Sequence, residues 1–283
     1  MMRDRWRRGL SHAIVVLCGA AVLLALVPLA FVLFYVVTRG IVALNLDFFT
    51  HMPQPVGEPG GGMANAIVGS FIVTGLGALI AIPIGVISGV YASEYAGTRF
   101  ASVVRFAADT LNGVPSIVIG VFVYGIAVLP FRQFSALAGG LALGIMMIPL
   151  IMRTTEELLL LVPSTLWEGA LALGATRARA VFTVVVPAAL PGIITGILLA
   201  LARIAGETAP LLFTSLNNRF WSTDVGQPIA TLTVQVFAYA IAPYDDWHRQ
   251  AWAGALVLVG LVLLCSLLAR VATARMERLQ RGS

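Results

Sequence analysis

The stretch PSTLWEGALALGATRARAVFTVVVP, residues 163–187, lies between two apolar runs that are each long enough to enter a bilayer. Thr165 is placed to cap a helix, and Glu168, three residues later, would complete a capping box. Gly174 offers a point at which the chain can turn. The stretch therefore predicts an amphipathic helix outside the lipid, which lies on the membrane or docks into a partner's groove.

The overall composition is that of a membrane protein. The 283-residue chain is 59% hydrophobic and 11% charged, whereas soluble domains carry about 25% charged residues. All 18 basic residues are arginine. A nucleotide-binding P-loop needs a lysine to reach the phosphates, so this chain cannot carry that motif, and any ATPase that drives it must be a partner.

The remaining polar residues exclude several other kinds of site. Cys18 and Cys265 lie in apolar runs and are expected to pack as small hydrophobic residues. His12, His51 and His248 lack metal-ligand spacing, and there is no G-x-S-x-G motif. The arginines flank apolar segments, which indicates membrane topology instead of nucleic-acid binding. We therefore expect no metal site, no cofactor bound by this chain and no nucleic-acid partner.

Six apolar segments are candidates to cross the membrane. A helix needs about 20 apolar residues to span a hydrocarbon core of about 30 Å. The predicted fold class is all-α, a polytopic membrane protein with six transmembrane helices. The segments are 13–37, 66–92, 114–130, 135–152, 189–214 and 251–269.

The arginines predict the orientation, because positive charge is retained on the cytoplasmic side of a membrane. With the N-terminus inside, most arginines are cytoplasmic and Arg203 lies within the membrane. The external ones are Arg39, Arg132, Arg219 and Arg249. Both termini are therefore expected in the cytoplasm.

Small residues recur at four-residue spacing within the segments, which lets helices approach closely in lipid. We interpret these residues as packing contacts inside the bundle. The pairs are Gly85 and Gly89, Gly140 and Gly144, and Gly192 and Gly196.

The external segment 215–250 holds another periodic pattern. Apolar residues at helical spacing predict a short helix that lies at the outer membrane surface. They are Ile229, Leu232, Val236 and Ala240. The aromatic residues Trp221, Tyr239, Tyr244 and Trp247 are typical of an interfacial belt.

Residues 163–187 resemble a loop of ABC importer permease subunits, patterned E-A-A, three residues, G, nine residues, I-x-L-P. The matching positions are Glu168, Gly169, Ala170, Gly174, Val184, Val186 and Pro187. This sequence departs from the pattern at Gly169, which replaces an alanine, and at the two valines. The resemblance implies the type I ABC importer permease fold, with a coupling helix over about 165–180 that enters a cleft on an ATPase subunit.

Three further stretches are similar to the phosphate importer permeases, and the last resembles the PstA-type subunit more than its PstC-type partner. They are GVYASEYAG at 89–97, GVPSIVIG at 113–120 and ARIAGETAPLLFT at 202–214. The resemblance covers about 64–270, the expected permease core with five of the transmembrane helices. Residues 1–63 are expected to hold a cytoplasmic stub, the first transmembrane helix and an external loop, and 271–283 a cytoplasmic tail.

This resemblance implies the permease subunit of an ATP-driven phosphate importer in the bacterial inner membrane, without an enzymatic site of its own. The implied partners are a PstC-type permease, two copies of an ATPase that binds the ATP and Mg, an external phosphate-binding protein, and membrane lipid. Import of another oxyanion, such as phosphonate, sulfate or molybdate, is the alternative within this class. An ion-gradient transporter or channel would need no coupling helix, and an intramembrane enzyme lacks a reactive constellation here.

Arg203 and Glu207 stand in the apolar fifth segment, where a charge costs about 2.5 to 3.5 kcal/mol on insertion scales. At a spacing of four, both side chains would project from one helix face and could pair. One interpretation is a structural salt bridge that fixes helix rotation. We favour the other, in which this face, with Thr208, lines the substrate path, because a guanidinium stays charged in lipid and matches phosphate oxygens.

Other polar residues are secondary candidates. Asp109, Asn112 and Ser116 surround the start of the third segment and are candidates for the path, although an aspartate at a helix start is usually a cap. Glu94 is expected in a short cytoplasmic loop within reach of the ATPase. The neighbouring pair Glu156 and Glu157 is expected on a solvated face.

Overall fold

The computed structural model describes residues 2–55, 58 and 60–281, and within them every regular element is helical. The helices are α1 (Met2–Ala43), α2 (Leu46–Thr50), α3 (Ala64–Glu94), α4 (Arg99–Gly113), α5 (Ser116–Val123), α6 (Ala136–Leu160), α7 (Ser164–Ala172), α8 (Arg177–Ala180), α9 (Val186–Ile204), α10 (Ala209–Leu212), α11 (Leu232–Ala240) and α12 (Asp245–Arg281). There are also two π-helical turns. Tyr124–Val128 extends α5, and Val181–Val185 joins α8 to α9.

Five helices of the described chain are long and apolar enough to cross a membrane, and a bent pair makes a sixth when its two arms are counted as one span. The five are Leu10–Ala43, Ala64–Glu94, Ala136–Leu160, Arg177–Ile204 and Asp245–Val271. The pair is Arg99–Gly113 with Ser116–Val128, bent by 103°. The six predicted segments are therefore confirmed as helical, with differences in the third and the fifth.

The helix pair at the third predicted segment is bent at Pro115. This proline has no N–H to donate and disfavours a helical conformation at the residue before it. Val114 accordingly adopts an extended conformation with ψ 129°. The second arm, Ser116–Val128, spans only about 20 Å at a rise of 1.5 Å per residue. The predicted segment 114–130 was therefore only the second arm, which is too short to cross a core of about 30 Å.

The fifth crossing is displaced from its predicted position. The sequence predicted 189–214, whereas the continuous helix runs from Arg177 to Ile204. Pro187 breaks the normal hydrogen-bond ladder, and the helix passes this point through the π-helical turn Val181–Val185. A non-helical turn at 205–208 ends the helix before α10 begins.

The predicted glycine contacts are confirmed inside the bundle. A Cβ atom at Gly85 would lie 2.8 Å from the Cβ atom of Ile151, and one at Gly89 would lie 2.6 Å from that of Thr155. Helices α3 and α6 therefore pack backbone to backbone along their length. The other four glycines also contact neighbouring helices: Gly140 and Gly144 face α3, and Gly192 and Gly196 face Leu158 and Thr154 of α6.

Helix α11 forms in the predicted region, and one side of it packs against other helices of the bundle. Its residues Leu232–Gln235 are buried, and the helix packs against α12 and α3. The Leu232 N–H donates to Ser70 Oγ of α3 at 2.7 Å. Tyr239 is buried as well, stacked on Trp247 with ring centroids 4.5 Å apart. The helix therefore folds back into the bundle.

Candidate functional site

The loop that resembles the ABC importer motif forms two helices instead of one. Helix α7 spans Ser164–Ala172, with Pro163 before its first turn, so Thr165 lies inside the helix and caps nothing. The chain then turns at Gly174, which has a φ of +84° that a side chain rarely adopts. The expectation of one helix over 165–180 is therefore wrong, because Gly174 ends it before α8 begins.

Helix α7 stands out from the bundle and presents the motif residues to solvent. None of its residues is fully buried. Glu168, Gly169 and Gly174 are exposed, and Ala170 is half-buried. Pro187, which closes the motif, is exposed near the first turn of α9. The surface that α7 offers is open to a partner.

A second feature is a cavity of about 180 Å³ that opens at the surface of the bundle, since Asn112 and Arg203 in its lining are exposed. It lies where the α4–α5 bend, α6 and the C-terminal end of α9 meet. Its polar lining is Asn112, Ser116, Arg203 and Glu207, and its apolar lining is Leu111, Val114, Ile119, Met146, Leu150 and Ile204. Four side chains that the sequence proposed for the path thus surround one space, although they come from separate segments.

Two contacts hold the segments around this cavity. A Cβ atom at Gly120 of α5 would lie 2.6 Å from Pro210 Cα, so α5 and α10 touch through their backbones. The buried Thr233 of α11 donates from Oγ1 to the Glu207 carbonyl at 3.0 Å. The turn that carries Glu207 is therefore fixed from both sides.

The expected helical pairing of Arg203 with Glu207 is wrong. Helix α9 ends at Ile204, and the Glu207 N–H donates to the Ile204 carbonyl at 3.0 Å in the following turn. Within the described chain, neither side chain forms an ion pair or a hydrogen bond. Arg203 is exposed and Glu207 half-buried, and both line the cavity. A structural salt bridge between them is therefore absent from this conformation of the described residues.

Two other candidates lie outside the cavity lining. Thr208 is half-buried and its carbonyl accepts from the N–H of Leu211 at 3.1 Å, at the start of α10. Asp109 forms an ion pair with Arg153, with 3.0 Å between Oδ1 and Nε. Of the three secondary candidates for the path, Asn112 and Ser116 therefore line the cavity and Asp109 does not.

The comparison with known families agrees with this architecture. The family model described as binding-protein-dependent transport system inner membrane component matches residues 81–281. The chain belongs to this family. It is a multi-pass protein of the bacterial inner membrane and a permease subunit of an ABC importer. Such a permease works with a second permease, an ATPase and a substrate-binding protein.

Curated relatives are similar to this permease over nearly their whole length. A protein of Yersinia pestis named phosphate transport system permease protein PstA is 46% identical over 274 residues, which cover 96% of this chain and 93% of the relative. Its namesake in Haemophilus influenzae is 45% identical, with 93% of each chain covered. A probable PstA of Methanocaldococcus jannaschii is 35% identical, with 87% of each covered.

Solved ABC transporters share the fold. A chain of the bacterial alginate ABC transporter, in complex with its alginate pentasaccharide-bound periplasmic protein, superposes with a TM-score of 0.61 at 14% identity, covering 99% of this chain and 97% of that one. A chain of the inward-facing MetNI methionine ABC transporter gives 0.58 at 21% identity, covering 76% and 94%. At these identities the likeness is one of fold.

The permease also contains a charge cluster that sequence reasoning missed. Glu156 of α6 is 2% exposed, so its expected place on a solvated face is wrong, while Glu157 is exposed. Glu156 accepts from Arg153 at 2.9 Å and from Nε of Arg105 on α4. Arg105 also donates to the Ala92 and Ala96 carbonyls at 2.7 and 3.0 Å. The cluster therefore joins the end of α3 to α4 and α6.

One sequence signal points to this cluster. Arg153 and Glu156 are spaced three apart in an apolar helix, a spacing at which opposite charges meet. The contribution of Arg105 from a separate helix depends on how α4 folds back after the α3–α4 connection.

Proposed function

We propose that this permease is the PstA-type subunit of an ATP-driven phosphate importer and forms half of the translocation path. The observation that carries the proposal is the guanidinium of Arg203, which has no partner among the described residues and lines a cavity together with Asn112 and Ser116. The full-length similarity to proteins named as phosphate permeases supports the same substrate.

The donors around the cavity suit a tetrahedral oxyanion. Phosphate carries between one and two negative charges at neutral pH, and a guanidinium offers it a rigid fork of donors that stays charged when partly desolvated. Ser116 lies in the first turn of α5, where helix N–H groups and the positive end of the dipole favour an anion. Asn112 adds a neutral amide that donates to phosphate oxygens.

Glu207 has a complementary role in this proposal. Its carboxylate lowers the positive potential around Arg203 when the path is empty, so that phosphate passes without being trapped. It also accepts a hydrogen bond from a protonated phosphate oxygen. A permanently positive cavity would bind the anion tightly but release it slowly. Thr208 and Asp109 support the adjoining turns without reaching the cavity.

The proposal assigns the chemistry of ATP to partners. The chain has no lysine for a P-loop, so ATP and Mg are assigned to two copies of an ATPase. One of the two copies receives the exposed α7 from the cytoplasm. This chain binds no cofactor and catalyses no reaction, while the whole complex hydrolyses ATP. A PstC-type permease supplies the other half of the path, and an external phosphate-binding protein delivers the substrate.

The test is labelled-phosphate uptake by the complete complex reconstituted in liposomes with the binding protein and ATP. We expect uptake that unlabelled phosphate suppresses and that equal concentrations of sulfate, molybdate and phosphonate leave nearly unchanged. The same uptake should return to cells that lack this chain when wild type is supplied. Uptake of another oxyanion in place of phosphate would contradict the proposed substrate and leave the importer-permease assignment standing.

A further inference from the structure

Helix α7 is attached to the bundle at very few points. Trp167 packs against an apolar cluster that includes Leu159 and Val185. Its indole N–H is buried without a hydrogen-bond partner among the described residues. This anchor consists of apolar packing, which resists separation but leaves the angle of the helix weakly determined.

Arg177 supplies a second and more directional attachment. Its guanidinium carbon lies 5.3 Å from the centroid of the Trp167 ring and 5.7 Å from that of Tyr95. Trp167 belongs to α7, whereas Tyr95 ends α3 in the α3–α4 connection. One guanidinium therefore contacts two rings from different loops at the same end of the molecule.

The Arg177 guanidinium is held by the Trp167 and Tyr95 rings and not by an ion pair with the nearby Glu94. Glu94 lines the same two surface cavities as Arg177. No ion pair joins them within the described chain. A planar guanidinium attracts aromatic faces through the ring quadrupole and through stacking, and an ammonium cannot reproduce the stacking.

Arg177 is also the first residue of the helix that reaches the cavity. The continuous helix Arg177–Ile204 is about 42 Å long at a rise of 1.5 Å per residue. Arg203 lies at its far end and lines the cavity. A tilt imposed at Arg177 therefore moves the position of Arg203.

We propose that Arg177 is a positioning residue that transmits movement of α7 to the Arg203 end of this helix. The inference rests on the proposed function, because it takes α7 as the segment that the ATPase moves. Without the two ring contacts, α7 would move with the ATPase but the helix Arg177–Ile204 would not move with α7. ATP would then be hydrolysed with little phosphate transported. Arg177 would thus determine how much phosphate is carried for each ATP.

The experiment compares Arg177→Gln with Arg179→Gln in the reconstituted complex. Arg179 is a matched control because it is exposed, lies two residues away, and its side chain forms no hydrogen bond, ion pair or ring contact within the described chain. Each exposed cation–π contact biases an equilibrium by a factor of about 2 to 5, so losing both should reduce phosphate carried per ATP by about fivefold or more. Arg179→Gln should match wild type.

Variants of the ring test the same contact from the other side. Tyr95→Ala should lower the phosphate-to-ATP ratio, and Tyr95→Phe should restore it because the aromatic face remains. Arg177→Lys should be intermediate, since it keeps the charge and loses the stacking. Co-purification with the ATPase and the thermal midpoint of the complex should stay near wild type in all of them. Equal ratios in wild type, Arg177→Gln and Tyr95→Ala would overturn the proposal.

A distance measurement separates this inference from the choice of substrate. Spin labels at Leu173 and Gly97, both exposed, would report the position of α7 relative to the α3–α4 connection after Cys18 and Cys265 are replaced by serine. We expect a narrow distance distribution in wild type and Arg179→Gln, and a broad one in Arg177→Gln. Equally narrow distributions would refute the inference, whatever anion the complex carries. Absence of phosphate uptake by wild type would refute the proposed substrate alone.

Discussion

Two arginine–glutamate pairs of similar spacing have opposite environments in this permease. Arg153 and Glu156 stand three apart, and the carboxylate is 2% exposed with two guanidinium partners. Arg203 and Glu207 are four residues apart, and both side chains lie at the edge of a cavity without an ion pair or hydrogen bond to any described residue. Spacing in the sequence therefore does not tell whether two charges pair, because the pairing depends on helix ends and on a third helix.

The difference has a physical cause. A carboxylate removed from water must be satisfied by several donors, and Glu156 obtains them from α4 and α6. A charge on a cavity keeps access to water or to a ligand, so it can remain unpaired at less cost. The paired cluster is suited to stability, whereas the unpaired residues are available to a substrate.

The largest effect is expected from breaking the buried cluster. Glu156→Ala leaves Arg105 and Arg153 without their shared partner, and removing one member of a buried ion pair costs about 3 to 5 kcal/mol. The thermal unfolding midpoint of the purified complex should fall clearly. Glu157→Ala, at the exposed neighbour, should stay within about 0.5 kcal/mol of wild type. Equal midpoints for the two variants would show that the cluster does not hold these helices.

The second largest effect concerns transport and not stability. Arg203→Gln removes the unpaired charge from the cavity, and phosphate uptake should fall on the order of 100-fold, as when a preorganised donor is lost from an anion site. Assembly and the unfolding midpoint should be unchanged, because the substitution breaks no ion pair or hydrogen bond with any described residue. Normal uptake by Arg203→Gln in an intact complex would remove Arg203 from the path.

A smaller change in transport is expected from Glu207→Gln. The backbone carbonyl that accepts from Thr233 is retained, so the turn should keep its geometry. The maximal uptake rate should fall several-fold while the apparent KM for phosphate stays equal or decreases, since a more positive cavity holds the anion longer. Kinetics of uptake over a range of phosphate concentrations would measure both. Unchanged kinetics would exclude both roles given to the Glu207 carboxylate.

The smallest effect is expected at the exposed edge of the buried cluster. The side chain of Asp109 is 54% exposed in its pair with Arg153, and exposed ion pairs contribute about 0 to 1 kcal/mol. Asp109→Asn should therefore shift the unfolding midpoint slightly and leave uptake within about twofold of wild type. A large loss of uptake with normal stability would place Asp109 on the path after all.

Local chemistry at single residues explains where the predicted helices ended incorrectly. Gly174 divides the expected helix over 165–180 because its φ of +84° ends a helix. Pro115 divides the helix pair of the third predicted segment, so the prediction covered only the arm that follows this proline. Both residues are visible in the sequence, but whether a glycine or proline bends, ends or merely interrupts a helix depends on what packs beside it. The packing of Gly120, in the arm that follows Pro115, against Pro210 is a contact of that kind.

The sequence by itself determined the membrane class, the six apolar segments, the exposed loop with its Glu168 motif, and four of the residues that surround the cavity. These properties are local, because they depend on hydropathy, helical spacing and residue chemistry. Only the tertiary structure decided that Arg203 and Glu207 remain apart, that Glu156 is buried, and that Arg177 lies against two rings. These outcomes depend on contacts between segments that are distant in the chain. Packing of those segments, and not the neighbouring residues in the sequence, determines which partners lie close to each charged side chain.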